Sequence, residues 1–353
     1  MKGPNYKLRV GSLLKILKKS GCDSFFVTNE TNVSYLSGFL GKDSMLLVTP
    51  KKCFLVTDSR YTEEARKTAP GFETVTVRHS TYDTVRELVS ANRLGRMAFE
   101  SMNLPYEVAS RLSSALGKTK LVPSRNSIEV IRFVKEPTEV AAIRRSIRLA
   151  KAVLRQAMEA ARPGVEEARL ANMIESWFIE NGARMSFEPI VASGKNAAMP
   201  HARPGKTMIR NNSFVMIDLG AKLGLYNSDM TRMVMLGKQN SRFKKIYGIV
   251  AKAHDMAIAK VKPGIRIAEV DNAARGHIER SGYGKFFGHA TGHGVGMSIH
   301  EEPSVSRSNP TTIEAGMVFT IEPAIYIPGF GGVRIEDMLL VTKNGCEVLT
   351  RLT

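Results

Sequence analysis

The chain has 353 residues, 43% of them hydrophobic, enough for two ordinary domains with their own cores and too apolar for a globally disordered protein. Its net charge of +18 is spread evenly: residues 1–137 hold 22 Lys+Arg against 13 Asp+Glu and the remainder holds 29 against 20, so each part carries +9. With no basic tail and no Lys/Arg run longer than two, the charge reads as a basic surface on a soluble protein, and nucleic acid is not an expected partner.

Residues 1–23 alternate basic and apolar positions. Leu13, Leu14, Ile16 and Leu17 fall on one face of a predicted helix, with Lys15, Lys18 and Lys19 on the other. The segment lacks the continuous apolar stretch and small-residue cleavage site of a secretory signal. No apolar run in the chain approaches the roughly 18 residues a membrane span needs. Cys22, Cys53 and Cys346 are odd in number, far apart and outside any CxxC pattern, which predicts reduced thiols and a cytoplasmic protein.

Short β-rich runs at 25–28, 45–49 and 53–57 predict buried strands, with turn or helix at 32–39 and 61–67 and a helix over 106–116. The polar stretch 124–127 is the expected link, dividing an α/β (α+β) chain into domains 1–127 and 128–353. A long amphipathic helix then follows from Val140, Ile143, Ile147, Ala150, Leu154 and Met158. Thr138 is the expected N-cap, Pro137 blocks earlier helix, and Pro163-Gly164 ends it.

An internal repeat comes next. At an offset of 100 residues, Pro163-Gly164 matches Pro263-Gly264, Ala168 matches Ala268, Asn172 matches Asn272 and Gly182 matches Gly282. In both copies a helix precedes the Pro-Gly turn and another follows. Two related α/β halves are expected, with a site in the crevice between them.

The last third carries the chemistry. Asp218 ends the apolar run Phe214-Val-Met-Ile-Asp218, and Asp229 follows eleven residues later. A turn at 220–224 would set the two side by side on adjacent strands. One such Asp is usually a cap or turn residue; two flanked by β-rich runs are a stronger signal, but alone do not make a metal site. His289, His293 and His300 fall within twelve residues that hold Gly292, Gly294 and Gly296, with Gly288 just before them. A lone His is usually a satisfied core or surface residue, whereas three in a Gly-rich stretch fit a ligand plus acid–base or oxyanion groups. Glu322 and Glu336 interrupt strand-like apolar runs, where a charge must be paired, hydrogen-bonded or metal-bound. Asp337 follows Glu336 directly and is expected to face the other way, while Arg334 shares the face of Glu336 and can fix a carboxylate. Four carboxylates and one imidazole cannot share a buried site as bare charges. They suit two divalent ions bound mainly by oxygen, manganese-like or cobalt-like, about 3.5–4 Å apart with a bridging water or hydroxide.

These motifs give the chain a resemblance to a known group. Asp218-Leu-Gly220, Ser228-Asp-Met-Thr-Arg232, Gly288-His-Ala-Thr-Gly-His-Gly-Val-Gly296, His300-Glu-Glu-Pro303, Thr320-Ile-Glu-Pro323 and Val333-Arg-Ile-Glu-Asp337 resemble, in order and spacing, the pita-bread metallopeptidases. That group contains methionine aminopeptidase, aminopeptidase P and prolidase. Asn32-Val-Ser-Tyr-Leu-Ser-Gly-Phe39 and Asp58-Ser-Arg-Tyr61 look like the creatinase-type N-terminal domain of its proline-specific branch. Ser193-Gly-Lys-Asn196 to His201 looks like that branch's segment before the first metal ligand.

The resemblance implies a small creatinase-like domain followed by a pseudo-twofold pita-bread catalytic domain. It implies that Asp218, Asp229, His293, Glu322 and Glu336 bind two divalent ions, manganese first, with cobalt, iron or zinc as alternatives. It further implies that Asp229 and Glu336 bridge both ions and that Glu322 also shuttles a proton. His201 and His300 would hydrogen-bond the substrate carbonyl and tetrahedral intermediate, His289 would line a proline pocket, and Arg334 would support the site. The substrates would be small peptides with proline second, and the assembly a homodimer or a tetramer. Ala290 replaces the more usual glycine of Gly-His-Gly-Thr-Gly-His, tolerable if φ is negative there. Ser304 occupies the position where many dipeptide-specific prolidases carry an Arg for the dipeptide carboxylate, and Arg307 is out of register. The expected activity is therefore that of an Xaa-Pro aminopeptidase, with an Xaa-Pro dipeptidase as the alternative. A non-catalytic binding module or a creatinase should have lost ligands that this chain keeps.

Overall fold

The structure is a computed structural model that describes residues 4–352. It divides into two compact units, one up to Arg132 and one from Phe133 onward. The division falls later than the expected boundary after Ser127, because a helical turn at Glu129–Arg132 is tied back into the first unit. There Arg132 Nη1 donates to Asn32 Oδ1 at 2.9 Å, and Asn32 donates to Glu129 Oε1 at 2.7 Å.

The first unit is built on a six-stranded mixed sheet in the order Glu73–Thr76, Cys53–Thr57, Met45–Val48, Ser24–Val27, Arg96–Glu100, Lys120–Ser124. The three apolar runs seen in the sequence form the antiparallel middle, and parallel strands extend it at both sides. Phe26, Leu47, Phe54, Met97 and Phe99 meet Val85 and Val89 of helix Thr81–Ala91 and Leu112 of helix Tyr106–Ala115. The N-terminal helix Tyr6–Ser20 buries Leu13 and Leu17, and Gly21 closes it with a left-handed φ of 64°.

In the second unit the long helix spans Pro137–Ala160. Its cap is Glu136 rather than Thr138: Pro137 does not block the helix but opens it, since a proline has the right φ for the first turn and no N–H to leave unsatisfied. The repeat is visible in the backbone. Helices Glu167–Glu180 and Ile267–Arg280 have equal length and keep the 100-residue offset. Gly164 and Gly264 both adopt φ 88°, and their amides donate to Ile209 O and Ile313 O, each at 2.9 Å. A side chain at either position would be strained in that left-handed conformation.

Two sheets carry the chemistry-bearing residues. One has the order Met230–Leu236, Ser213–Leu219, Ile190–Ser193; the other has the order Glu301–Val305, Gly292–Gly294, Val318–Ile321, Asp337–Val341, Cys346–Val348. A hairpin of Ala324–Ile327 and Gly331–Arg334 adds to them. One core runs through the unit, joining Phe214, Phe243, Val270, Phe319 and Ile325 among others. Both units are of mixed α and β structure, in the order the resemblance implies: a creatinase-like domain first, then a pita-bread domain.

Candidate metal centre

Asp218 lies near the end of strand Ser213–Leu219, directly across from Thr231 on the antiparallel neighbour. The loop between the two Asp residues is more than a turn: Ala221–Leu223 and Tyr226–Asn227 pair as a small hairpin, and Asp229 sits just before strand Met230–Leu236. Both carboxylates end up buried. His293 is the middle residue of Gly292–Gly294, and Glu322 immediately follows Val318–Ile321. Gly292 is glycine for contact reasons: a Cβ there would lie 1.9 Å from Thr320 O. Glu336 occupies the step between Gly331–Arg334 and Asp337–Val341.

These segments bring the candidate ligands to one cavity of about 860 Å³, lined by all five. Ligand atoms of Asp229, His293 and Glu336 lie within 4.8 Å of one another. His293 Nε2 is 3.5 Å from Asp229 Oδ2 and 3.4 Å from Glu322 Oε1. Its Nδ1 lies 3.1 Å from Gly294 O, so a proton on Nδ1 leaves the Nε2 lone pair aimed at the carboxylates. Burial pushes the Asp229 and Glu336 carboxyls well above the usual carboxylate range, and the neighbouring carboxylates push them further. Glu322 is raised chiefly by burial as well, and burial lowers His293. Such mutual repulsion is what a bound cation relieves. Asp218 supplies a second sign: its Oδ1 is buried with no hydrogen-bond partner, while Oδ2 accepts from Arg334 Nη2 at 2.5 Å. A buried carboxylate oxygen without a partner is costly unless something fills that place. The donor set, oxygen-rich with one imidazole, therefore fits divalent cations.

Of the other candidates, His201, His289 and His300 line the same cavity. The His300 ring stands edge-on to that of His293, 4.4 Å between centroids. Burial lowers the pKa of both His289 and His300, favouring neutral imidazoles. Arg334 is buried and takes Asp218, rather than Glu336, as its carboxylate. Asp337 turns away from the cluster to Arg232 at 2.6 Å, with Thr350 Oγ1 donating to it at 2.6 Å. Among the described residues, positive φ outside glycine is confined to Asp43, Arg93, Asn126 and Asn212, so Ala290 is not strained by its side chain.

Several supporting residues escape sequence reasoning. Thr231 Oγ1 accepts from Arg334 Nε at 3.0 Å and donates to Glu336 Oε2 at 2.7 Å, linking the two. Thr320 Oγ1 donates to Glu322 at 3.1 Å and accepts from the His293 amide at 3.0 Å. Tyr326 accepts from Arg334 Nη1 at 2.6 Å and lies 3.2 Å from His289 Nε2. Burial pushes its phenol up to about 12, so it remains a donor. With His289 Nδ1 at 2.7 Å from Ala290 O, the consistent assignment is Nδ1–H donating to that carbonyl and Nε2 accepting from Tyr326. The one available signal was a polar residue inside the apolar strand Ala324–Ile327.

A strongly acidic cavity that fits divalent cations, ringed by imidazoles, defines a metal-dependent hydrolase class of site. The chain belongs to metallopeptidase family M24: residues 141–343 match the description of that family, and residues 9–134 match the Creatinase/Prolidase N-terminal domain. It is therefore a hydrolase of peptide bonds. Among solved structures it is similar to an Xaa-Pro dipeptidase from Bacillus anthracis, with 35% identity, a TM-score of 0.96 and coverage of 99% of this chain and 98% of that one. It is also similar to an X-Pro aminopeptidase from Thermotoga maritima, with 32% identity, a TM-score of 0.87 and coverage of 94% and 96%. An Xaa-Pro dipeptidase from Pyrococcus horikoshii is 34% identical, covering 97% of each chain. No helix among the described residues is long and apolar enough to cross a membrane.

Proposed function

We propose that this chain is an Xaa-Pro dipeptidase, cleaving dipeptides whose second residue is proline. The observation that carries the hydrolytic part is the ring of Asp218, Asp229, His293, Glu322 and Glu336 around one cavity. The proline specificity and the dipeptide preference rest on relatives: two of the three proteins described above are named Xaa-Pro dipeptidases, which outweighs the expectation of an aminopeptidase drawn from Ser304.

The five residues would hold two divalent ions, which when bound supply Lewis acidity that acidifies a water and polarises a carbonyl. Around that centre the chain's own groups have distinct tasks. His201 and His300 offer imidazole N–H groups to the scissile carbonyl oxygen as negative charge builds on it. Glu322, whose carboxyl is raised by burial, can take a proton from the attacking water and deliver it to the leaving proline nitrogen. His289, held by Tyr326 and Ala290, presents a fixed neutral ring to the substrate. Arg334 fixes Asp218 through one oxygen and leaves the other buried without a hydrogen-bond partner.

A second reading is kept for one reason. Ser304 lines the cavity as a neutral residue, which would suit a longer Xaa-Pro-Xaa peptide. The two are separated by hydrolysis of an Xaa-Pro dipeptide beside an Xaa-Pro-Xaa tripeptide, with Mn²⁺ added. Faster cleavage of the dipeptide supports the proposal; cleavage of the tripeptide alone makes the chain an aminopeptidase.

A further inference from the structure

We infer that Arg203 and Lys285 form the subsite that binds the free C-terminal carboxylate of the substrate, the task for which Ser304 has no charge. The inference rests on the dipeptidase reading. A dipeptide carries a carboxylate one residue beyond the scissile bond, and it must enter a cavity whose wall holds five carboxylates, four of them in the ligand cluster. With that cluster's charge taken up by the divalent ions, a cation near the proline end is what pairs with the substrate carboxylate and gives the substrate its register.

Arg334 is spent: its guanidinium is buried and donates to Asp218, Thr231, Tyr326 and Pro200 O. Arg307, the cation nearest Ser304 in sequence, is not among the residues lining the cavity and pairs with Glu279 at 2.8 Å. Arg203 and Lys285 remain, the other two cations on the cavity wall among the described residues. Neither forms an ion pair among the described residues. The Lys285 ammonium rests 5.1 Å from the Phe286 ring centroid, and Arg203 makes no side-chain hydrogen bond among the described residues.

They come from separate segments. Arg203 follows His201 by two residues, anchored by buried Ala202 and followed by Pro204. Lys285 lies on the short helical turn Gly284–Phe286, four residues before His289. Each is therefore close along the chain to a histidine assigned to the substrate. Among the described residues Glu188 is the one acid on the wall outside the ligand cluster, so the rim keeps a net positive charge. Both cations are exposed and hydrated when no peptide is bound, so replacing them leaves no buried group without a partner. A peptide extended beyond proline, or an Xaa-Pro amide, has no charge at that place to receive them.

The test compares an Xaa-Pro dipeptide with the matching Xaa-Pro amide, using the metal-loaded wild type, R203A, K285A and R203A/K285A. The wild type should favour the free acid. The double variant should raise KM for the acid about ten- to hundredfold, as expected for losing charged hydrogen bonds, and leave the amide within about twofold. The singles should fall between, and R203K should recover part of the loss. Unchanged melting and metal content in the variants keep the comparison clean. An acid-to-amide ratio that is the same in the double variant and the wild type overturns the assignment. A wild type that already prefers the amide, or leaves the dipeptide uncut, overturns the dipeptidase reading itself, before any variant is made.

Discussion

Asp271 and Arg275 sit one turn apart on helix Ile267–Arg280 and together clamp the histidine-bearing loop that follows. The two pair through both carboxylate oxygens at 2.7 and 2.8 Å. Asp271 Oδ1 also accepts from Thr291 Oγ1 at 2.7 Å, and Arg275 donates to the carbonyls of Phe287 and His289 at 3.1 and 2.8 Å. The other half of the repeat has a counterpart. Glu167, in the first turn of Glu167–Glu180, accepts from the Ser193 amide at 2.6 Å and from Asn196 Nδ2 at 2.9 Å, holding the segment that leads to His201. In each half an acid on the helix after the Pro-Gly turn secures a loop that brings histidine to the cavity.

Replacing Asp271 with Ala should be costly. The residue is fully buried, and its loss strands Arg275 with its charge largely uncompensated. A destabilisation of about 3–5 kcal/mol is expected in denaturant unfolding, with a smaller loss for D271N. Wild-type stability in D271A would show that the clamp is dispensable.

Tyr326→Phe should separate packing from hydrogen bonding. The ring stays, while Arg334 loses an acceptor and His289 loses a donor. A loss of about 1–3 kcal/mol in stability is expected, from the polar partners left behind. Turnover of an Xaa-Pro dipeptide should fall too, because His289 no longer has a fixed ring orientation. Unaltered kinetics in Y326F would remove Tyr326 from the account.

The first unit has its own pH signature at Glu100. Burial is the main cause of its raised pKa; hydrogen bonds from Asn32, Asn29 and Thr28 oppose it, and Glu129 repels it. A carboxyl with a raised folded-state pKa binds its proton more tightly folded than unfolded, so stability falls as pH rises through the window from the ordinary value to the raised one. Glu100→Gln lacks this dependence. The stability of E100Q relative to wild type should therefore improve as pH climbs through that window. A difference that is flat, or moves the other way, contradicts the assigned cause.

The candidate ligands were legible because charge is conspicuous in an apolar strand. Asp218, Glu322 and Glu336 each break a β-rich run, and three histidines crowd a glycine-rich one. The repeat was legible because turn chemistry is local: Pro-Gly at 163–164 and 263–264 needs no distant partner. What stayed hidden depends on distance. Thr231 looks like an ordinary strand residue until register sets it opposite Asp218 and the fold delivers Arg334 and Glu336 to its hydroxyl. Strands Glu73–Thr76 and Lys120–Ser124 went unread because they lie at the sheet edges, where half-exposed polar residues dilute the apolar signal. Asp271 left a trace that could have been followed, since it falls on the buried stripe of Ile267, Val270, Ala274 and Ile278, where a charge requires a partner.

In the proposed function the five-residue centre runs hydrolysis through bound divalent ions. The direct measurement strips the protein of metal, adds Mn²⁺ back stepwise, and follows both ions bound per chain and Xaa-Pro hydrolysis. Activity should vanish on stripping, return with added metal, and saturate at two ions per chain, while Asp229→Asn and Glu336→Gln bind fewer. Full hydrolysis after exhaustive chelation, or a stripped chain that takes up no metal, would contradict it.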